Sequence, residues 1–191
     1  PSAVSDYEID NSLRFNDSDN AYLARTPSSG GNLRTWTWSG WVKRGNITAW
    51  HVPFSAGRSS PEDRTEISFE SADNIRIFQK DSGSTAMSLV TTQVFRDPSA
   101  WYHIVVAMDT TQGTDTNRVK LYVNGSQVTS FSTTTYPTQN LDTWVNSTAV
   151  PTTIGTDSRL YSADFDGYLA EVYLIDGTQY AASDFGELDS D

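Results

Sequence analysis

Two segments of the chain alternate apolar and polar residues, as β-strands with one buried face do. In residues 118–123 every second residue is apolar, and within residues 33–44 the side chains of Trp36, Trp38 and Val42 share one parity. Successive side chains of a strand point to opposite faces of its sheet. We therefore predict that both segments are strands and that Trp36, Trp38 and Val42 face the core.

A three-stranded antiparallel meander is predicted around the first of these segments. Residues 102–108 form a nearly continuous apolar run that is rich in β-branched residues, which favours a buried strand. Asn124 and Gly125 follow residues 118–123 and suit a type I′ turn, because both central residues of that turn need a positive φ. Residues 127–131 are expected to return as the third strand.

Short strand patterns separated by turn residues extend along the rest of the chain, without an amphipathic helix of ordinary length or an internal repeat. This pattern predicts one all-β domain over residues 1–191, an antiparallel sandwich of two sheets. Pro53 lacks the N–H that a central strand donates, so residues 50–54 are expected to be irregular or an edge strand, followed by a polar loop at 57–64. Trp101 is expected in the core. The other predicted strands are residues 12–15, 21–24, 65–70, 75–79, 86–90, 152–155 and 167–175.

Charge and composition exclude several classes of partner. The chain has 13 Lys and Arg against 24 Asp and Glu, a formal net charge of −11. Nucleic acids and anionic membranes bind cationic surfaces, so neither is a predicted partner. No apolar run approaches the ~18 residues of a membrane-spanning helix, so membrane insertion is not predicted. The chain has no Cys, which excludes disulfides and thiolate-bound metals.

Three blocks of sequence resemble the laminin-G-like domains of the concanavalin A-like jelly-roll superfamily. They occur in the family's order and span nearly the whole chain, and the resemblance implies a jelly roll of two packed sheets. The blocks are residues 13–17 with 21–23 and 36–43, residues 101–106 with 121–125, and residues 154–155 with 165–172.

A narrower resemblance is carried by residues 165–172, 175–177 and 184–187, together with residues 95–97. These segments are similar to laminin-G-like domains of marine bacteriophage structural proteins, which are tail fibres, tailspikes or other appendages. The resemblance implies an extracellular, virion-borne domain that contacts host glycans, and it is compatible with a homo-oligomer within a virion. We also expect the chain to be a fragment of a longer polypeptide.

Aromatic side chains among polar residues are the candidates for carbohydrate binding. The C–H face of a sugar stacks on an aromatic ring, while a few placed polar groups bind its hydroxyls. Aromatic residues in loops indicate function more often than those in strands. A partner is expected at the polar segments 109–117 and 132–149. The candidate ligand-binding residues are Trp41, Trp50, Tyr136, Trp144, Arg159 and Tyr161.

A structural Ca²⁺ ion is a candidate cofactor, because many domains of this fold bind one ion through oxygen ligands. Asp17, Asp19 and Asn20 are the predicted ligands. The family pattern often has Asp where this chain has Ala170, and this difference weakens the site that the resemblance implies. Two other oxygen-rich groups remain open, namely Asp109, Asp115 and Asn117, and Asp157, Asp164 and Asp166.

Catalysis is not predicted. Enzymes of this superfold that cleave polysaccharides place carboxylates at alternate positions of one strand, and a glycosidase needs an acid and a nucleophile or base. The nearest string, residues 62–66, has the wrong spacing and is expected in a loop. His51 and His103 have no Ser or Cys partner at a recognisable spacing, and His103 is expected to be a hydrogen-bonded strand residue.

The prediction is therefore a non-enzymatic module of a phage structural protein that recognises its host by binding a polysaccharide or cell-surface glycan. One alternative is a structural virion domain for assembly or decoration that binds no glycan. A second alternative is a polysaccharide-cleaving enzyme of the same superfold.

Overall fold

The computed structural model describes residues 11–60, 62–158 and 163–186. Within these residues the chain forms strands joined by turns and three one-turn 3₁₀ helices, at Asp17–Asp19, Asp115–Asn117 and Ala182–Asp184. The strands are β1 (Leu13–Phe15), β2 (Leu23–Arg25), β3 (Thr35–Arg44), β4 (His51–Arg58), β5 (Asp63–Phe69), β6 (Asn74–Asp81), β7 (Ser84–Val94), β8 (Tyr102–Asp109), β9 (Val119–Val123), β10 (Ser126–Gln127), β11 (Phe131–Thr135), β12 (Thr152–Ile154) and β13 (Gly167–Asp176).

The strands form two antiparallel sheets that pack face to face. One sheet has six strands in the order β1-β13-β3-β8-β9-β10, and the other has seven in the order β11-β7-β6-β5-β4-β12-β2. The predicted all-β sandwich is confirmed. None of the helices in the described residues is long and apolar enough to cross a membrane.

The core lies between the sheets and follows the predicted alternation. Trp36, Trp38 and Val42 of β3 are fully buried there, and the indole N–H of Trp36 donates to Thr143 Oγ1 at 2.9 Å. Trp101 is an exception, because it is only half-buried and lies outside the core cluster. The prediction that Trp101 is a core residue is wrong, since parity alone cannot show which face of a sheet a residue just before a strand will occupy.

The meander is confirmed for its first two strands and its turn, but not for its third strand. Asn124 and Gly125 have φ of 48° and 78°, as a type I′ turn requires. Gln127 pairs with Tyr122, and then the chain crosses to the other sheet, where β11 pairs with β7. Residues 127–131 are therefore divided between the two sheets, and Phe131 packs on the core from the second sheet.

Strand β4 corrects two predictions about its region. It lies inside the seven-stranded sheet between β5 and β12, not at an edge. Pro53 is tolerated because the pairing of β4 with β5 shifts register between His51 and Phe54, and the Pro53 carbonyl accepts from the Gly155 N–H at 2.9 Å. The loop expected at 57–64 is only a short turn, since β4 continues to Arg58 and β5 starts at Asp63.

Candidate functional site

The outer face of the seven-stranded sheet carries polar and charged side chains that are buried. Strand β5 places Arg64, Glu66 and Ser68 on this face, while its other parity, which includes Ile67, faces the core. In the neighbouring strand, Phe78 lies opposite Glu66 in the sheet register. Arg64, Glu66, Ser68 and Phe78 are each at most 4% exposed, so this face of the sheet is not a simple solvated surface.

A stack of alternating rings and guanidinium groups crosses this face. The guanidinium carbon of Arg76 lies 3.6 Å from the ring centroid of Phe78 and 5.3 Å from that of Trp50. The guanidinium carbon of Arg64 lies 4.8 Å from the centroid of the same Phe78 ring. Trp50, which precedes β4, is 37% exposed. Cation–π contacts of this kind fix the orientation of a ring. The stack therefore holds the Trp50 ring at the surface.

Arg76 has hydrogen-bonding capacity that the described residues do not use. Its Nε is buried and has no partner among them, and its nearest anion is Glu70, with Nη1 and Oε1 3.6 Å apart. Burial lowers the pKa of Arg76, while the charges of Glu66 and Glu70 oppose that effect. The Nε donor is buried, so the role of Arg76 on this face is to hold the Trp50 ring, while Arg76 itself is held by the charge of Glu70 and the ring of Phe78.

Glu66 is the buried anion of this face. Arg64 Nε donates to its Oε2 at 2.7 Å, and the Ser68 hydroxyl donates to its Oε1 at 3.4 Å. Burial raises the pKa of Glu66, and Arg64 opposes this change. The Asp157 carboxylate also raises the pKa, which shows that a second buried acid lies close by.

Glu62 closes the ion-pair network at the outer end of this face. Lys80 Nζ donates to its Oε2 at 2.8 Å, and Arg64 Nη1 donates to its Oε1. The hydrogen bond from Lys80 is the main cause that lowers the pKa of Glu62 to about 2. The prediction that the string 62–66 lies in a loop is wrong. Asp63–Phe69 is a strand, and it holds Arg64 and Glu66 in fixed positions.

A cavity of about 510 Å³ opens beside the exposed face of Trp50, and we call it the Trp50 cavity. It brings together a predicted ligand-binding residue, Trp50, and two predicted metal ligands, Asp17 and Asn20, which lie 30 or more positions earlier in the chain. It also contains Asp164, a member of one of the groups left open. The full lining is Asp17, Ser18, Asn20, Ala49, Trp50, His51 and Asp164.

The polar groups of the Trp50 cavity are positioned by local hydrogen bonds. The Asn46 amide donates to Asp17 Oδ2 at 3.4 Å, and the Thr156 hydroxyl donates to Asp164 Oδ1. Asn20 ends the first 3₁₀ helix in the left-handed conformation, with φ of 49°. Two carboxylates and one amide thus surround an aromatic wall, which is the combination that binds sugar hydroxyls and C–H faces together.

His51 forms the buried back wall of the cavity. It is 2% exposed, its ring lies edge-on to Phe165 at 6.3 Å, and its Nδ1 has no partner among the described residues. Burial, followed by the charge of Arg44, lowers the pKa of His51. The imidazole is therefore neutral near pH 7 and adds no charge to the cavity.

The predicted calcium ligands are only partly gathered at this cavity. Asp17 and Asn20 line it, whereas Asp19 Oδ2 accepts from Asn16 Nδ2 at 3.0 Å within its own turn. Within residues 11–60, 62–158 and 163–186, no three His, Asp or Glu side chains are close enough to hold a metal ion. An ion bound by Asp17 would need Asn20 or carbonyl oxygens as further ligands, and calcium binding stays a prediction.

The other candidate binding residues do not join Trp50. The Trp144 indole donates to Asp81 Oδ1 at 2.7 Å and lies under Arg58 at 5.3 Å. Asp81 ends β6, five residues after Arg76, so these two partners of Trp144 and Trp50 lie about 16–17 Å apart along the strand at ~3.3 Å per residue. Tyr136 packs against the core, Trp41 lies on the other sheet, and Arg159 and Tyr161 lie outside the described residues.

Arg76 and Phe78 are the site residues that sequence reasoning missed. Both alternate with buried Ile75 and Ile77 in β6, so their outward direction was visible in the sequence. What the sequence did not show was that Trp50 would lie on the same face. That contact depends on the unexpected inclusion of β4 inside the sheet.

Comparisons with known proteins agree with this architecture. A family model described as the concanavalin A-like lectin/glucanases superfamily, laminin G type, matches residues 16–182. No curated protein sequence matches the chain.

Three solved structures share the fold at low sequence identity. A Ruminococcus gnavus sialidase CBM40 bound to α2,3 sialyllactose is 15% identical, with a TM-score of 0.58 over 86% of this chain and 95% of that one. Domain 4 of a Geobacillus stearothermophilus arabinanase, in complex with arabinotriose, is 21% identical, with a TM-score of 0.54 over 80% and 65%.

Domains LG4-5 of the mouse laminin α1 chain are 11% identical, with a TM-score of 0.59 over 88% of this chain and 42% of that one. The chain thus spans less than two thirds of the arabinanase and laminin chains. From the extent of the family match and the topology of its two sheets, the chain belongs to the concanavalin A-like lectin/glucanase superfamily and is a laminin-G-like jelly roll.

Proposed function

We propose that this domain is a non-enzymatic carbohydrate-binding module and that a glycan binds at the Trp50 cavity. The observation that carries the proposal is the exposed ring of Trp50, which is held by Arg76 and forms one wall of a cavity whose other walls include Asp17, Asn20 and Asp164.

Trp50 supplies the apolar half of the interaction. Its ring is already oriented by Arg76 before a ligand arrives, so little side-chain entropy is lost on binding. A pyranose stacked on the ring would remove the C–H face of the sugar and the exposed part of Trp50 from water together.

The carboxylates and the amide supply the polar half. Asp17 and Asp164 accept hydrogen bonds from sugar hydroxyls, and Asn20 both accepts and donates. Planar groups of this kind select sugars by the direction of their hydroxyls.

Two solved structures of this fold hold a saccharide, which supports the proposal. The Ruminococcus gnavus module is bound to sialyllactose, and the arabinanase domain is bound to arabinotriose. Both proteins use a fold of the present type to bind a saccharide, and a shared fold alone does not give a function.

The carboxylates of the string 62–66 do not provide a cleavage site at the Trp50 cavity. A glycosidase needs two carboxyl groups that reach the scissile bond. Glu66 is fully buried and accepts hydrogen bonds from Arg64 and Ser68, and Glu62 is held by Lys80 and Arg64. Both groups are engaged in ion pairs rather than directed into the Trp50 cavity.

The biological setting that we propose is a phage virion outside the cell. It rests on the resemblance of residues 165–172 and 175–177 to domains of phage tail fibres, tailspikes and appendages. In that setting the module would bind a host polysaccharide, and light scattering of the purified domain would show whether it self-associates.

A glycan array with matched variants tests the function. We expect binding to at least one polysaccharide or cell-surface glycan, an approximately 10-fold or larger loss for Trp50→Ala, and no loss for Tyr22→Ala. Tyr22 is a matched control because it is 42% exposed, against 37% for Trp50, and does not line the cavity. Absence of any glycan binding would favour a purely structural virion domain, and release of reducing ends would favour an enzyme.

A further inference from the structure

A second aromatic depression lies on the opposite side of the molecule, on the outer face of the six-stranded sheet. Strands β3 and β8 place Trp41 directly opposite His103, with ring centroids 5.0 Å apart. We propose that this face carries a second carbohydrate-binding site, which takes a neutral sugar and works independently of the Trp50 cavity.

Two tryptophan rings line the depression. Trp41 is half-buried on β3, and Trp101, which immediately precedes β8, is also half-buried. Trp101 is in turn supported by Tyr168 of β13, with ring centroids 6.5 Å apart, and Arg14 lies 5.9 Å from the Tyr168 ring. Half-buried aromatic rings whose orientation is fixed by neighbouring side chains are suited to stacking against the C–H face of a sugar.

The depression has the size of a ligand site, with a volume of about 580 Å³. Binding sites for small molecules usually measure roughly 300–1,000 Å³ and combine apolar walls with a few polar groups. The lining residues are Trp41, Trp101, His103, Asn124, Gly125, Ala182, Ser183, Phe185 and Gly186.

Two polar side chains in the depression have atoms left for a ligand. The Asn124 Oδ1 accepts from the backbone N–H of His103 at 2.8 Å, which leaves the two Nδ2 hydrogens as donors. Ser39 Oγ lies 2.9 Å from His103 Nε2, which leaves Nδ1 as the ring nitrogen for a ligand. Both groups are positioned by bonds to the protein, so their geometry is preorganised.

The absence of charge in the lining selects the class of sugar. Among the residues that the structure describes, none that lines the depression is Asp, Glu, Lys or Arg. Burial lowers the pKa of His103, so the imidazole is neutral near pH 7. An anionic sugar would find no cation here and would be repelled by a chain of net charge −11, whereas a neutral hexose needs only the rings and the uncharged polar groups.

The wall opposite the tryptophans is formed by a segment that is fixed to the sheet. Thr37 Oγ1 donates to the Thr178 carbonyl at 2.7 Å, and the Tyr180 N–H donates to Thr37 Oγ1 at 2.9 Å. Further along, the Phe185 ring stacks on Tyr173 at 6.5 Å and meets His103 edge-on at 6.2 Å. The depression is therefore bounded on both sides by residues of the folded domain.

The test uses ¹⁹F NMR of the intact domain labelled with 5-fluorotryptophan, whose six signals are assigned with single Trp→Phe variants. The probes are cellotriose, mannotriose and galactotriose, titrated to about 10 mM because weak single sites bind in the millimolar range. We expect at least one of them to shift the signals of Trp41 and Trp101. The same shifts should persist in Trp50→Ala and in Tyr22→Ala, and Trp101→Phe should weaken binding less than Trp101→Ala.

Two results would overturn the inference. If the signals of Trp41 and Trp101 stay unchanged with all three probes while Trp50 responds to a glycan, the second site is wrong and the proposed function stands. If Trp50→Ala abolishes the shifts at Trp41, the two faces are not independent sites. A silent Trp50 with every glycan, beside responsive Trp41 and Trp101, would instead refute the Trp50 cavity alone.

Discussion

The guanidinium carbon of Arg76 lies 5.3 Å from the ring centroid of Trp50, on the face of the sheet that also carries Phe78. An isolated surface tryptophan would sample several rotamers, whereas this ring is held by a cation that is itself held by a second ring. Arg76 therefore acts on a ligand indirectly, by orienting Trp50.

Replacing Arg76 by Leu should lower glycan affinity by about 10-fold, because the cation–π contact of ~0.5–2 kcal/mol that orients Trp50 is lost. The melting temperature should fall only slightly, because the lost contacts with Phe78 and Glu70 are partly offset by removal of a buried Nε that has no partner among the described residues. Isothermal titration calorimetry and thermal unfolding measure the two effects. Arg76→Lys is the control and should give an intermediate affinity, while full affinity for Arg76→Leu would contradict the role of Arg76.

Asp73 is expected to be the most costly charged residue to remove. Its carboxylate is completely buried and accepts from Arg44 Nη1 at 3.0 Å, from the Thr48 N–H at 2.6 Å and from Arg96 Nε at 2.9 Å. Asp73→Ala leaves the buried Arg44 uncompensated and should cost about 3–5 kcal/mol in urea unfolding.

The matched control for Asp73 is the exposed ion pair of Arg34 and Asp142, whose side chains are 42% and 55% exposed. Asp142→Ala should cost no more than about 1 kcal/mol, because exposed pairs are screened by water. Equal losses for the two variants would show that burial of the Arg44–Asp73 pair does not govern its contribution.

Glu62 should make stability depend on pH in acid. Its pKa falls from 4.5 to about 2 on folding, chiefly through the hydrogen bond from Lys80, so its contribution is present above pH 4.5 and is lost as pH falls towards 2. Glu66 acts in the opposite direction, because its pKa is raised and the associated cost is relieved as pH falls. Urea unfolding of wild type, Lys80→Met and Glu66→Gln between pH 7 and 2.5 separates the two, and an unchanged acid slope in Lys80→Met would contradict the assignment to Glu62.

Gly155 should not tolerate a side chain. Its φ is +88°, and an added Cβ would lie 2.3 Å from Cδ1 of the buried Phe15 ring. Gly155→Ala combines overpacking with left-handed strain and should cost about 2–4 kcal/mol. Gly113→Ala is the control, because its added Cβ meets nothing within 4 Å, and its free energy of unfolding should change little.

If calcium binds at the Trp50 cavity, replacing Asp17 and replacing Asp19 should have different effects. Asp17 lines the Trp50 cavity, whereas the Asp19 carboxylate accepts from the Asn16 amide. Calcium should raise the melting temperature, a chelator should reverse this, and Asp17→Asn should remove the effect while Asp19→Asn keeps it. A melting temperature that is insensitive to calcium and chelator would refute the site.

The fold features that could be predicted from the sequence are those that depend only on local residues of one strand or turn. Trp36 and Trp38 share a parity in a long strand, and the Asn124–Gly125 pair requires a tight turn, so these features needed no knowledge of the neighbours. The predictions failed where the outcome depends on a distant partner. Pro53 is accommodated by a register shift against β5 and by Gly155, which lies a hundred positions later.

In the candidate site, too, the residues with a clear local context were predicted, and the contacts that depend on distant segments were not. The sequence singled out Trp50 as an aromatic in a polar context and Asp17 and Asn20 as oxygen ligands, and the structure places all three at one cavity. It could not show that Trp144 would turn its indole N–H towards Asp81 and pack on the core, because that choice depends on how the loop closes over the end of the sheet.

The position of β13 between β1 and β3 has a consequence for how the chain folds during synthesis. Strand β3 carries the largest core side chains, but one of its two hydrogen-bonding neighbours is made only when residues Gly167–Asp176 have left the ribosome. Pairings so distant in sequence form slowly, because a long loop must close first. The nascent chain therefore exposes one edge of its tryptophan-rich strand until β13 has been synthesised, and during that time intermolecular strand pairing competes with folding.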